Sequence, residues 1–86
     1  MTPDAIYDVL VQECGASEGL RDNFVDSFKD TSRYMVEYGF PGVLNTAWHY
    51  FESPDGWRYV TCYVEDETPE RRAIIDAANQ RLKGLA

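Results

Sequence analysis

The spacing of apolar residues along the chain predicts three helices and three strands. Apolar positions recur at intervals of three and four residues in 3–14, after Ser17, and from Pro69 onward, which is typical of helices that bury one face. Between them the stretches RYMVEYGF, AWHYF and WRYVTCYV alternate and are rich in aromatic and β-branched residues, as strands are. The pattern predicts one α+β domain over residues 1–86, a three-stranded antiparallel meander with helices in the order α-α-β-β-β-α.

Capping signals predict where the helices begin and end. A threonine followed by proline, at residues 2–3 and 68–69, places an N-cap before the residue best tolerated at the first helical position. Gly15 is a typical C-cap, so the first helix should span residues 3–14. Ser17 can cap the second helix. An alternative is that this second helix continues as far as Tyr38, because the apolar spacing allows it.

Two turns set the predicted register of the sheet. We expect Pro41 to fix φ and Gly42 to accept a positive φ in a tight first turn, and SPDG at 53–56 to form the second. These turns would pair Phe40 with Val43 and Glu52 with Trp57.

In that register the two faces of the sheet differ in character. One is a mixed face suited to receive the helices: Tyr34, Val36, Tyr38, Ala47, His49, Phe51, Val60, Cys62 and Val64. The other is dominated by aromatic rings: Met35, Leu44, Trp48, Tyr50, Trp57, Tyr59 and Tyr63. Helices on one side only would leave this second face partly open. A slip of one residue would exchange the faces.

Charge and composition narrow the function classes. The net charge is −7, concentrated in residues 1–67, while residues 68–86 are slightly basic. This balance disfavours direct binding to nucleic acid or to an anionic membrane and predicts a basic partner. Without a signal peptide or a long apolar run, we expect a cytoplasmic protein. Cys14 and Cys62 lack metal or redox spacing, so we expect small buried hydrophobes, with a disulfide as the alternative.

The residues that could carry catalysis are few. His49 is the only histidine and has no serine or cysteine at a recognisable motif spacing. Metal loops and phosphate-binding glycine motifs are absent from the sequence. We therefore expect no catalytic residues, no metal and no cofactor.

The most unusual polar pattern is an acidic ladder on the second helix: Glu18, Asp22, Asp26 and Asp30. Asp4 and Asp8 repeat the spacing on the first helix. Acids four residues apart repel by about 0.2 to 0.5 kcal/mol per pair, and we expect Arg21 to relieve single members only. The rungs are about 6 Å apart along the axis, close to the spacing of phosphates, although the solvent face of a helix is also where an acidic protein places its charge.

These patterns favour a non-enzymatic interaction protein that binds a basic or nucleic-acid-handling protein. The acidic ladder would imitate phosphates and make the protein an inhibitor, as in acidic anti-restriction and anti-CRISPR proteins. An aromatic contact would come from Trp48, Tyr50, Trp57, Tyr59 and Tyr63. The alternatives are an accessory subunit docking through this aromatic face, a homodimer formed by it, and a small-ligand pocket near His49.

Overall fold

The predicted fold class is confirmed by a computed structural model, which describes residues 2–28, 35–45 and 47–85. The three helices described are α1 (Pro3–Cys14), α2 (Arg21–Asp26) and α3 (Pro69–Gly84). The strands are β1 (Val36–Pro41), β2 (Ala47–Glu52) and β3 (Arg58–Thr61), in one antiparallel sheet of order β1-β2-β3. The helices therefore precede and follow a meander, as the sequence pattern predicts.

Local capping explains the helix ends. The Thr2 hydroxyl accepts the Ala5 N–H at 3.2 Å, and α1 ends at Gly15, whose φ of 70° a glycine adopts without strain. Thr68 caps α3 in the same way. The Ser17 side chain starts a 3₁₀ turn that leads into α2. The alternative in which this helix continues to Tyr38 is wrong, because Tyr38 lies in β1.

The register of the sheet differs from the prediction in both hairpins. Phe40 pairs with Trp48, five positions beyond the expected Val43, because residues 43–45 form a 3₁₀ turn instead of starting the strand. Glu52 pairs with Arg58 rather than with its neighbour Trp57. Both slips are odd, and side chains alternate with a period of two, so β2 is turned over relative to the prediction. The two slips cancel in β3, which keeps its predicted faces.

Gly42 is required for a reason other than the predicted one. The glycines with positive φ among the described residues are Gly15 and Gly56, so Gly42 does not serve a positive-φ turn. A Cβ at Gly42 would instead lie 2.3 Å from Cδ1 of Trp48 and 2.4 Å from the carbonyl oxygen of Cys14. The Trp48 indole also donates a hydrogen bond to the Val43 carbonyl oxygen at 3.3 Å. The chain at Gly42 is therefore pressed between β2 and the end of α1.

The core lies between one face of the sheet and the helices. Phe24 of α2 is at its aromatic centre, with ring centroids 5.0 to 5.3 Å from those of its four neighbours Tyr7, Phe28, Tyr38 and Tyr50. The sheet contributes Val36, Phe40, Trp48, Tyr50 and Val60 to the buried set. Ala47, His49 and Phe51 were expected on this face and lie on the other, because β2 is turned over.

One further position on the predicted buried face is wrong, and one lies outside the described residues. Val64 follows β3 in a 3₁₀ turn and is 84% exposed. On α3 the buried stripe runs through Ile75, Ala78 and Leu82, whereas Ala77 is exposed. Tyr34, which was expected on the buried face, lies outside the described residues.

An asparagine closes the outer edge of β3. The Asn79 side chain of α3 accepts the Val60 N–H at 2.6 Å and donates to the Val60 carbonyl oxygen at 3.1 Å. It therefore takes the place of a neighbouring strand residue and satisfies both main-chain groups of Val60. Such covering protects an edge strand from pairing with another chain.

The close approach at Gly42 gives a stability prediction. We expect Gly42→Ala to lower the free energy of unfolding by about 1 to 3 kcal/mol or more, because the added methyl overlaps Trp48 and the Cys14 carbonyl. Gly84→Ala is the matched control, since a Cβ there meets nothing within 4 Å. Urea unfolding of the three proteins measures both. Equal stability of Gly42→Ala and wild type would contradict the packing of Trp48 against this glycine.

Candidate partner-binding surfaces

The face of the sheet turned away from the helices, here called the open face, carries an aromatic row of five rings. The row runs Trp57, Tyr59, Phe51, His49, Tyr63. Successive ring centroids are 5.4, 5.2, 6.3 and 4.9 Å apart, and the first three contacts are stacked with ring planes 24 to 25° apart. The row therefore extends from the turn after β2 to Tyr63, just beyond the end of β3.

The register of the sheet produces this row. Phe51 lies directly opposite Tyr59, and His49 lies opposite Thr61, so alternate residues of β2 and β3 share the open face. Trp57 and Tyr59 at one end of the row, and Tyr63 at the other, are 48%, 37% and 54% exposed. Contiguous exposed apolar surface of this kind is typical of interaction sites.

The predicted membership of the aromatic face is confirmed in part, and its binding role stays a prediction. Trp57, Tyr59 and Tyr63 lie on the open face as expected. The placement of Trp48 and Tyr50 on it is wrong: both are fully buried, and burial raises the pKa of Tyr50. The sequence interpretation missed His49 and Phe51, which replace them in the row. Among the other predicted members of this face, Met35 is exposed beside β1, whereas Leu44 lies in the 3₁₀ turn before β2.

One carboxylate and no described cation accompany the row. Glu37 of β1 is exposed and lies directly opposite Phe51, on the same face. Gly39, the next residue of β1 on this face, lies opposite His49 and adds no side chain beside that ring. The described residues on the open face include no lysine or arginine, and none of the described cations forms an ion pair with Glu37. The described part of the open face is therefore aromatic and negatively charged.

Half of the acids proposed as a phosphate-like surface converge on one arginine. The Arg21 guanidinium lies 3.3 Å from Asp4, 2.7 Å from Asp8 and 2.8 Å from Glu18, and it sits 5.1 Å from the centroid of the Tyr7 ring. The hydrogen bond from Arg21 lowers the pKa of Glu18. Within the described part of the ladder Arg21 contacts a single member, Glu18, as expected. It also reaches Asp4 and Asp8 and so joins α1 to α2.

The remaining acids of the ladder divide into two groups. Asp22 and Asp26 are exposed on α2. Asp30 lies outside the described residues. Of the six predicted acids, Asp22 and Asp26 are the two that the structure describes outside the Arg21 cluster, and both face solvent. Their binding role stays a prediction.

The other chemically distinctive side chains do not assemble into a centre within the described residues. Cys14 and Cys62 are both free thiols, and burial raises the pKa of Cys14 to about 12, so its thiol is protonated at neutral pH. His49 takes part in the aromatic row, and its buried Nε2 has no hydrogen-bond partner among the described residues. No cluster of three or more histidine, cysteine or carboxylate side chains in this part of the chain could hold a metal ion.

None of the described helices is long and apolar enough to span a membrane. Comparisons of the chain with protein-family models, with curated proteins and with solved structures find no match. The inference of function therefore rests on the open face and on the acidic residues of the helices.

A matched pair of tyrosines tests which face is open. We expect Tyr50→Ala to lower the free energy of unfolding by about 3 kcal/mol or more, because it empties a fully buried site. Tyr59→Ala, in the neighbouring strand, should change it by no more than about 1 kcal/mol, the scale of a cross-strand contact. Urea unfolding measures both variants, and a larger loss at Tyr59 than at Tyr50 would reverse the assignment of the faces.

The Arg21 cluster predicts a pH-dependent contribution to stability. Because the pKa of Glu18 is lowered in the folded state, its ion pair stabilises the protein above the unfolded pKa of about 4.3 and is lost as pH falls through the lowered value. Arg21→Gln should therefore reduce the melting temperature at pH 7 and reduce it less at about pH 3. Lys83→Gln controls for loss of an exposed cation. An equal reduction at both pH values would contradict the ion-pair account.

Proposed function

We propose that this protein is a non-enzymatic binding domain that engages a basic protein through the open face of its sheet. The observation that carries the proposal is the aromatic row: five contacting rings on a sheet face that the described helices leave uncovered. Tyrosine and tryptophan are enriched at the centres of protein interfaces, where they supply large contact area at a small entropic cost. A surface of this kind gains free energy when a partner removes it from water.

Charge supports a basic partner over a neutral one. The chain carries a net charge of −7, and the described part of the open face contributes a carboxylate, Glu37, but no cation. Aromatic ring faces attract ammonium and guanidinium groups, so the row and the carboxylate favour the same ligand charge. Charge complementarity would also increase the rate of encounter at low salt.

In this proposal the acidic helices steer the partner rather than contact it. Arg21 holds three of their acids in an intramolecular cluster, which reduces their capacity to imitate a row of phosphates. Asp22 and Asp26 still contribute to the long-range negative field. Three points stay predictions from the sequence: the partner handles nucleic acid, binding inhibits the partner, and both proteins meet in the cytoplasm.

Two double variants distinguish the open face from the acidic helix. Tyr59→Ser with Tyr63→Ser removes exposed rings from the row, and Asp22→Asn with Asp26→Asn removes charge from α2. Each tagged protein is used to capture partners from its native or host lysate, and the captured protein is then purified and titrated against all three. We expect a basic partner whose affinity falls at least tenfold in the ring variant and changes little in the helix variant.

Salt dependence completes this test. Affinity for the basic partner should fall as salt rises from about 50 to 300 mM, because part of the attraction is electrostatic. Circular dichroism confirms that both variants are folded. Undiminished binding by the ring variant would exclude the open face as the binding surface, and loss in the helix variant alone would return the function to the acidic ladder.

A further inference from the structure

We propose that the open face contains a binding site for one arginine side chain of the partner, formed by Glu37, Phe51 and Tyr59 with Trp57 beside them. This inference rests on the proposed function and specifies which group of the basic partner is recognised. It follows from the way in which the register aligns one carboxylate and three rings across the sheet.

The cross-strand row supplies the geometry. Glu37 lies opposite Phe51, and Phe51 lies opposite Tyr59, so the three side chains are consecutive neighbours on one face. Directly opposed side chains in such a row have Cβ atoms about 4.5 to 5.5 Å apart. The Phe51 and Tyr59 rings are 24° from parallel, and Trp57 continues the stack at 25°. Because Glu37 and Phe51 are direct cross-strand neighbours, we infer that a planar group placed against this end of the stack is within reach of the carboxylate.

Guanidinium is the cation that matches both features. It is flat, it stacks on aromatic rings, and its N–H groups form directed hydrogen bonds to carboxylate oxygens. Lysine offers a compact, more strongly hydrated charge that cannot stack. No described cation of this protein fills the position.

The protein already contains this arrangement once. On the helical side, Arg21 lies 5.1 Å from the centroid of the Tyr7 ring and forms hydrogen bonds to Asp8 and Glu18 at 2.7 and 2.8 Å. An arginine held between a ring and carboxylates is thus compatible with this fold. On the open face, the ring and carboxylate are present and the arginine would come from the partner.

The size of the face favours an anchoring side chain over a second copy of the chain. Three strands about 4.8 Å apart and four to six residues long, at about 3.3 Å per residue, present a footprint of at most about 14 by 20 Å. Stable interfaces between folded proteins, dimers included, bury about 800 Å² on each partner, well above that footprint, so the open face suits one anchoring side chain within a larger contact. A small site that binds one deeply contacted arginine is typical of an interface hot spot.

The probe for this site is the peptide acetyl-Gly-Arg-Gly-amide, titrated into ¹⁵N-labelled protein. Its control is the citrulline peptide, which keeps the shape and removes the charge. We expect the arginine peptide to shift the amide signals of Glu37, Phe51 and Tyr59, and the citrulline peptide to bind at least fivefold more weakly. Glu37→Gln should weaken arginine-peptide binding about two- to fivefold, the range of an exposed ion pair. Glu70→Gln, on α3, should leave it unchanged.

Three results would overturn the arginine site: equal binding of the two peptides, shifts confined to α2, or no shift with the arginine peptide. The failures of the two proposals are distinguishable. If the arginine peptide fails but Tyr59→Ser with Tyr63→Ser still loses the captured partner, the arginine site is wrong and the open face remains the binding surface. If that ring variant keeps its partner, the proposed function itself is wrong.

Discussion

The packing of Trp48 against Gly42 is the constraint on which the sheet depends. The indole is fully buried, and its Cδ1 occupies space that a side chain at residue 42 would need. Because side chains alternate along a strand, an inward Trp48 places His49 on the opposite face and, two residues later, Phe51 beside it. The same contact that completes the core therefore exposes two rings of the aromatic row, which links the stability of the fold to its candidate binding surface.

Local sequence signals predicted the helices and strands well, but they could not predict which residues pair across the sheet. The Thr-Pro starts of α1 and α3 depend on a few consecutive residues, so they could be recognised directly. The register depends on how residues 42–45 lead away from β1. There Leu44 adopts φ 66° in a 3₁₀ turn, although its neighbours resemble the start of a strand. Arg71 of α3 donates to the Leu44 carbonyl oxygen, a contact 27 residues away along the chain that no local pattern reveals.

The sequence predicted which types of residue form the candidate surfaces, but not which individual residues lie on them. An excess of aromatic residues in the strands correctly indicated a ring-rich face, yet two odd slips exchanged Trp48 and Tyr50 for His49 and Phe51. The acidic ladder was visible as a helical repeat. The partial neutralisation of the acids could not be recognised in the sequence, because Arg21 reaches Asp4 across 17 residues as well as Glu18 within its own turn. Because tertiary contacts neutralise part of the acidic surface, the open face of the sheet is the stronger candidate for the binding surface.

The register of β2 is the claim most directly open to measurement, by nuclear Overhauser contacts between side chains in solution. The account predicts contacts between the rings of Phe51 and Tyr59, and between the Trp48 indole and the α protons of Gly42, with Tyr50 contacting Phe24 of α2. Contacts from Trp48 or Tyr50 to the Tyr59 ring would instead place all of these rings on one face. That result would contradict both the core described here and the aromatic row built on its opposite side.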